Sequence, residues 1–302
     1  MSDEYLWDRS GEVDAEVERL ENLLHPYRFE APAPKKQSFN WGSLAIAACL
    51  LLVASIAYRL QPIPLSDWAI DGKRVAVGKA VEAGREGVVL AAEEFGRVDL
   101  SANSRLRVLS GSGGRQELKL EKGTLHALIF APPGKFSVDT PSAKSIDLGC
   151  AYTLSVLDDN SGLLTVQSGW VAFQAKNLES FIPAGAACRT RPKAGPGLPY
   201  FETASKELQQ AISEFDAGKP GSVAAVAAKA TSGDGLTLWH LMLRSSGAER
   251  KLAVSRFKEI LPAADVEGLE AGKAKAIDQA WELLDLGGAD WWRLWKHPWH
   301  RG

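Results

Sequence analysis

Few side chains in this sequence have the spacing that catalysis or metal binding requires. His297 and His300 are spaced like metal ligands, but the proline that follows His297 favours a loose segment. Glu93-Glu94 and Asp158-Asp159 are adjacent pairs, and neighbouring side chains of a strand point to opposite faces, so neither pair suits acid–base catalysis. The sequence also lacks a G-x-S-x-G nucleophile elbow. We therefore expect no enzyme activity, no catalytic or metal site and no cofactor.

The cysteines are the remaining reactive groups. Three cysteines are too few for a disulfide scaffold, and the sequence has no C-x-x-C pair for a zinc ribbon. Cys150 and Cys188 both lie downstream of residue 58, and we expect them to form a disulfide, which requires an oxidising compartment. Closing a loop of that length would stabilise the fold by about 4 kcal/mol. The alternative is two unpaired buried thiols.

The overall composition is that of a globular protein. The chain has 302 residues, of which 45% are hydrophobic and 24% are charged. Its 35 basic and 37 acidic residues give a net charge of −2. Without a basic surplus, the chain has no general attraction for phosphate backbones, so we expect no direct contact with nucleic acid.

An uncharged segment between Lys36 and Arg59 predicts a transmembrane helix over residues 37–58. Aromatic residues flank its apolar core at both ends, as they do at membrane interfaces. A cleaved signal peptide and a buried core helix are the alternatives. Basic residues are nearly balanced around the segment, so the expected disulfide favours a cytosolic N-terminus and an external C-terminal part.

The segment before this span, residues 1–36, is an acidic tail. Nine of its first 30 residues are acidic, against three arginines. Apolar residues at helical spacing predict an amphipathic helix over Asp14–Leu24, and a second apolar cluster lies upstream. One apolar stripe cannot form a core, so we expect it to bind a partner with a basic surface, such as a nucleic-acid-binding protein. A solvated tail without a role is the alternative. The expected partner-binding residues are Leu6, Trp7, Val13, Val17, Leu20 and Leu24.

Residues 66–191 alternate between apolar and polar positions. Leu106 and Val108, then Leu118 and Leu120, are typical of half-buried strands. Glycine-rich and aspartate-rich turns recur between such runs. The pattern predicts an all-β sandwich or roll, with a β-solenoid as the alternative.

Within this region the sequence resembles FecR-type domains. Residues 136–143 (FSVDTPSA) and 146–154 (IDLGCAYTL) are similar to the F-x-V-x-T-P-x-A and V-x-V-x-G-T-x-F-x-V motifs of that family. Residues 164–171 (LTVQSGWV) resemble its V-x-V-x-x-G-x-V repeat. Two positions depart from the family pattern: Cys150 replaces the usual Thr, and Tyr152 replaces the usual Phe.

The resemblance implies a single-pass regulator at the bacterial inner membrane. Proteins of this family have a cytosolic tail that binds an extracytoplasmic-function sigma factor and a periplasmic domain that receives the signal. The same order of tail, span and β region occurs here. The resemblance thus implies a sigma factor as the cytosolic partner and an envelope or outer-membrane receptor as the periplasmic one. Zinc-binding tails of such regulators use cysteines that this tail lacks.

Residues 200–302 carry apolar stripes at helical spacing and predict a C-terminal helical bundle. The predicted fold class is therefore a membrane-anchored α+β protein. Four tryptophans after residue 290 suit either a cap on the bundle core or a surface that binds glycan or the membrane. The alternative function is accordingly an envelope binding or scaffold protein, whose β domain and Trp-rich region bind glycan or a neighbouring protein.

Overall fold

The computed structural model describes residues 14–27, 51–52, 65–112 and 114–287. The chain divides into two compact units, Met1–Gln61 and Pro62–Gly302. In the first unit, helix α1 spans Ala15–Leu24 and a 3-10 turn follows at His25–Tyr27. In the second unit, strands form the first two thirds of the described residues and helices form the last third.

The strands of the second unit form two sheets. The first sheet has the order β2-β1-β4-β5-β7-β10-β11-β14-β15, with β16 also paired to β14, and the second has the order β3-β6-β7-β8-β9-β12-β13. The strands are β1 (Leu65–Ile70), β2 (Lys73–Ala76), β3 (Ala80–Glu82), β4 (Val88–Ala92), β5 (Gly96–Leu100), β6 (Arg105–Ser112), β7 (Arg115–Ile129), β8 (Phe136–Asp139), β9 (Lys144–Asp147), β10 (Ala151–Val156), β11 (Gly162–Ser168), β12 (Trp170–Ala175), β13 (Leu178–Pro183), β14 (Ala186–Arg191), β15 (Gly195–Pro196) and β16 (Tyr200–Phe201).

Strand β7 belongs to both sheets. Residues 115–122 pair with β6 in the second sheet, and residues 123–128 pair with β10 in the first. The change occurs at Gly123, whose φ of +86° is a left-handed conformation that favours glycine. A Cβ at this position would lie 2.6 Å from the Cα of Ser104. Glycine therefore allows the strand to leave one sheet and enter the other.

The two sheets pack face to face around an apolar core. Leu118 and Leu120 of the second sheet and Leu154 of the first are fully buried, as their alternation predicts. The ring of Trp68 lies 5.8 Å from that of Phe136 on the opposite sheet. Of the described strand pairs, only β7–β8 is parallel. The arrangement is thus a sandwich, not the parallel coil of a β-solenoid.

Six helices follow the sandwich within the described residues. Ser205 caps the first of them, because its hydroxyl accepts a hydrogen bond from the Leu208 amide at 3.1 Å. The helices are α2 (Lys206–Asp216), α3 (Ser222–Lys229), α4 (Gly235–Arg244), α5 (Gly247–Ile260), α6 (Val266–Glu270) and α7 (Ala274–Glu282).

A cluster of aromatic rings joins these helices to the second sheet. Trp281 of α7 lies 5.7 Å from Trp170 of β12, 5.7 Å from Phe181 of β13 and 4.8 Å from Trp239 of α4, measured between ring centroids. The indole N–H of Trp239 donates to the Ile277 carbonyl at 3.0 Å. Helices and sheets therefore share one core. The tryptophans after residue 290 lie outside the described residues.

The predicted membrane-anchored fold class is wrong on this structure. A helix that crosses a membrane needs about 20 apolar residues. The longest described helix, α5, has 14 residues, and no helix among the described residues is long and apolar enough to cross. Of the predicted span, residues 37–50 and 53–58 lie outside the described residues. The location at the bacterial inner membrane stays a prediction from the sequence.

Candidate functional site

Helix α1 begins where the sequence supplies a cap. The Asp14 carboxylate accepts a hydrogen bond from the Glu16 amide at 2.9 Å, which satisfies one of the free N–H groups of the first turn. Glu16 and Glu18 add negative charge near the positive end of the helix dipole. The helix ends before His25-Pro26, where the proline follows its last turn. The acidic residues of the tail therefore also fix the start of its helix.

The apolar face of α1 comprises Val17, Leu20, Leu23 and Leu24, and it is open to solvent. The exposed fractions of Leu20 and Leu24 are 58% and 59%, and that of Leu23 is 66%. Val17 is half-buried, and no residue of the helix is buried. Glu21 follows Val17 by four residues and so borders the apolar face, whereas Glu18 lies on the opposite side of the helix. Three other expected binding residues, Leu6, Trp7 and Val13, lie outside the described residues.

The outward face of the first sheet is rich in hydroxyl groups. His126 of β7 stands opposite Thr153 of β10, and its Nδ1 lies 2.9 Å from the Thr153 hydroxyl. Gln167 of β11 donates to the same hydroxyl at 3.0 Å. Beside them, the hydroxyls of Thr124 and Ser155 lie 2.9 Å apart. These side chains form a partly exposed surface of donors and acceptors that suits binding better than catalysis.

Cys150 is held by a neighbouring carboxylate. Its thiol donates a hydrogen bond to Asp147, which also accepts the Gly149 amide at 2.8 Å. Burial raises the pKa of Asp147 to about 6. Burial, followed by the charge of Asp147, raises the pKa of the Cys150 thiol well above its usual range. A thiol that resists ionisation is a poor nucleophile, so the geometry assigns Cys150 a structural role.

Cys188 does not pair with Cys150, and both thiols are free and buried. Cys188 lies opposite Leu164, which lies opposite Leu154, two strands away across the first sheet. Cys150 precedes Leu154 by four residues, so the two Cα atoms are on the order of 15 Å apart, given the usual strand spacing and rise. A disulfide requires less than about 7 Å. The expected disulfide is therefore absent from the structure, and the alternative of two buried thiols describes it.

The described histidines and acids do not assemble into a metal centre. Within the described ranges, no group of three or more His, Cys, Asp or Glu side chains could hold a metal ion. His240 is buried, where its Nε2 accepts the Phe181 amide at 3.1 Å and its Nδ1 lies 3.0 Å from the Leu236 carbonyl. His297 and His300 lie outside the described residues. The absence of enzyme activity stays a prediction.

Comparison with solved structures finds similarity to two crystal structures, at 1.65 and 2.50 Å, of a Parabacteroides distasonis ATCC 8503 protein provisionally described as an anti-sigma factor. Each is 15% identical to this chain, with a TM-score of 0.36. The matches cover 45% of this chain and 65% and 64% of those chains, which is less than two thirds of their length. No family model and no curated protein matches the sequence. The resemblance to FecR-type domains therefore rests on the residues of this chain alone.

Proposed function

We propose that this chain regulates an extracytoplasmic-function sigma factor, which it binds through the apolar face of α1. The observation that carries the proposal is the exposure of leucines at helical spacing on a short acidic helix. Exposed apolar side chains in a row cost free energy in water, and burial against a partner recovers about 25 cal/mol per Å². The order of tail and FecR-like β region supports a sigma factor as that partner.

The chemistry of the helix describes the surface that it would fit. The apolar face requires a groove lined by apolar side chains. Glu21, which borders the apolar face beside Val17, favours basic residues at the rim of the groove. A sigma factor binds DNA and so carries basic surface. Occupation of that surface by α1 would withhold the sigma factor from polymerase. In the proposal, Leu6, Trp7 and Val13 extend the same contact.

The direct test measures binding between the full chain and each extracytoplasmic-function sigma factor of its host, purified separately. We expect one sigma factor to bind. We expect the double variant Leu20→Ala/Leu24→Ala to bind at least about tenfold more weakly, because it removes two buried side chains from the interface. Leu252→Ala is the matched control, since Leu252 is a leucine of α5 that is 49% exposed. Equal binding by the double variant and the control would refute the proposed surface.

Binding of a neighbouring molecule by the β region is the second candidate function. The hydroxyl-rich face around His126 and Thr153 favours it, because such a surface offers hydrogen bonds to glycan or protein. In that case the double variant in α1 would leave transcription from sigma-dependent promoters unchanged. A role of this region as the receiver of an envelope or outer-membrane receptor stays a prediction from the sequence.

A further inference from the structure

Three arginines meet where the first sheet joins the helices. Arg189 and Arg191 alternate on β14 and so point to the same face of the strand. Arg244 is the last residue of α4, and Asp216 is the last residue of α2. All four side chains line one cavity of about 310 Å³. The topology thus places three guanidinium groups and one carboxylate around a common space.

Neutral oxygen atoms hold two of the three guanidinium groups. Arg244 donates to the Pro196 carbonyl at 2.9 Å, to the Glu179 carbonyl at 3.2 Å and to the Ser180 hydroxyl at 2.6 Å. Arg191 donates to the carbonyl and the hydroxyl of Ser213 at 3.0 and 2.9 Å. These bonds fix the orientation of the guanidinium groups, but the acceptors are neutral and do not offset their positive charge.

Arg189 and Asp216 each keep a buried polar atom without a hydrogen-bond partner. The guanidinium of Arg189 lies 5.0 Å from the centroid of the Tyr200 ring, and its buried Nη1 has no partner in the described part of the chain. Asp216 accepts the Leu198 amide at 3.0 Å through Oδ1, while its buried Oδ2 has none. In the same part of the chain, no ion pair within 4.0 Å joins Asp216 to the arginines. Buried donors and acceptors of this kind normally have a partner.

The charge around the cavity is unbalanced. Arginine stays protonated in proteins, so three positive charges face the single carboxylate of Asp216. Asp159, the other acid that Arg191 influences, is exposed. Apolar side chains form the rest of the wall, among them Leu178, Phe215 and Leu243. A positive, partly apolar cavity of this volume has the properties of a small-molecule site.

We propose that this cavity binds a small organic anion whose carboxylate or phosphate group accepts hydrogen bonds from Arg189 and Arg191. A carboxylate or phosphate oxygen matches the forked donors of a guanidinium group. It would also offset the surplus positive charge around the cavity. The apolar part of the ligand would lie against Leu178 and Phe215. Because β14 and the ends of α2 and α4 all contribute, the ligand would join sheet to helices. The site is independent of the surface on α1.

The test titrates the full chain with inorganic phosphate and, separately, with benzoate, at constant ionic strength maintained with sodium chloride. Isothermal calorimetry and the midpoint of thermal unfolding report binding. We expect saturable binding of at least one probe, and the preferred probe identifies the head group as phosphate or carboxylate. Responses to both probes that match chloride alone would overturn the proposal.

Two variants and a matched control locate the site. We expect Arg189→Gln to weaken binding about tenfold or more, because it removes a guanidinium group that lines the cavity and its positive charge. We expect Asp216→Asn to strengthen binding about threefold or more, because it removes the competing negative charge. Arg115→Gln removes the charge of an exposed arginine on β7 and should bind as the wild type does. Unchanged binding by a folded Arg189→Gln variant would overturn the proposal. If Arg189→Gln does not fold, the Asp216→Asn variant is the test. Unchanged or weaker binding by Asp216→Asn would then overturn the proposal.

Discussion

Helices α1 and α4 each have ten residues, yet their surroundings are opposite. In α4, every residue from Gly235 to Met242 is buried, and Trp239 packs on the aromatic cluster. In α1, none is buried. An isolated helix of ten residues is marginally stable in water, because few hydrogen bonds offset the cost of nucleation. The comparison indicates that α4 is stabilised by its own fold, whereas α1 has no such packing and, in the proposed function, buries its apolar face against a partner.

Leucine substitutions in the two helices give the largest expected difference in the free energy of unfolding. Leu238 of α4 is fully buried, and we expect Leu238→Ala to lower the free energy of unfolding by about 2–5 kcal/mol, because it removes packed atoms and leaves a cavity. Leu20→Ala in α1 should change it by less than about 0.5 kcal/mol, since Leu20 is 58% exposed. Chemical denaturation of both variants measures the difference. A large loss of stability in Leu20→Ala would show that α1 is already packed within its own chain.

A glycine pair tests the close packing at the point where β7 passes from one sheet to the other. Gly123→Ala should lower the free energy of unfolding by about 2–4 kcal/mol, because a Cβ there meets the backbone of Ser104 in a left-handed conformation. Gly78, with φ of +83° and open space around it, is the matched control. Gly78→Ala should cost only about 1 kcal/mol. Equal losses in the two variants would contradict the close approach of β7 to Ser104.

Buried carboxylates of the second unit, Pro62–Gly302, make the stability of that unit depend on pH. Burial raises the pKa of Asp147 to about 6, above its ordinary value, so the folded chain keeps a proton that the unfolded chain has released. The contribution of Asp147 is therefore full below about pH 4 and is lost as the pH rises through about 6. We expect about 1–3 kcal/mol of this dependence to disappear in Asp147→Asn, measured by urea unfolding at pH 4 and pH 7.

Asp159→Asn is the control for this pH dependence. Hydrogen bonds from Ser161 lower the pKa of exposed Asp159, so its contribution has the opposite sign and is lost as the pH falls. The Asp159→Asn variant should therefore keep the decline between pH 4 and pH 7. If Asp147→Asn shows the same loss of stability between pH 4 and pH 7 as the wild type, the Asp147 carboxylate is already charged at pH 4.

The N-cap of α1 gives the smallest expected effect. Asp14→Ala removes the acceptor for the Glu16 amide and should destabilise the helix by about 1 kcal/mol. Because α1 has no buried residue, we expect the free energy of unfolding of the second unit to stay unchanged. Binding to the proposed sigma-factor partner should weaken several-fold, since the partner must then order a less stable helix. Asp14→Asn keeps a capping oxygen and should bind almost as well as the wild type.

Local patterns predicted the elements of the structure better than their contacts. The alternation of Leu118 and Leu120 placed a strand where β7 lies, and the apolar spacing of Val17, Leu20 and Leu24 placed the helix α1. Both patterns have short periods that a sequence displays directly. The predicted membrane-anchored fold was wrong for a different reason. Apolar length alone favoured a spanning helix over residues 37–58, and no helix in the described ranges meets that requirement.

The pairing of side chains from distant elements could not be read from the sequence. The disulfide between Cys150 and Cys188 was expected because two cysteines were available, but their strands lie apart in the first sheet. Asp147 precedes Cys150 by only three residues in the sequence. It becomes the hydrogen-bond partner of that thiol only because the fold buries both side chains together. The sequence also does not indicate that Arg244 and Asp216 line a common cavity, because charged residues at helix ends are usually solvated.

By itself, the sequence of this protein determined its acidic amphipathic helix, its alternating strands and its later helical stripes, because each depends on neighbouring residues. The tertiary structure alone decided that β7 serves two sheets, that both thiols stay free, and that Arg189, Arg191 and Arg244 surround one cavity with Asp216. Those features depend on which elements become neighbours. Local propensity does not specify such contacts, which follow from the burial of the whole core.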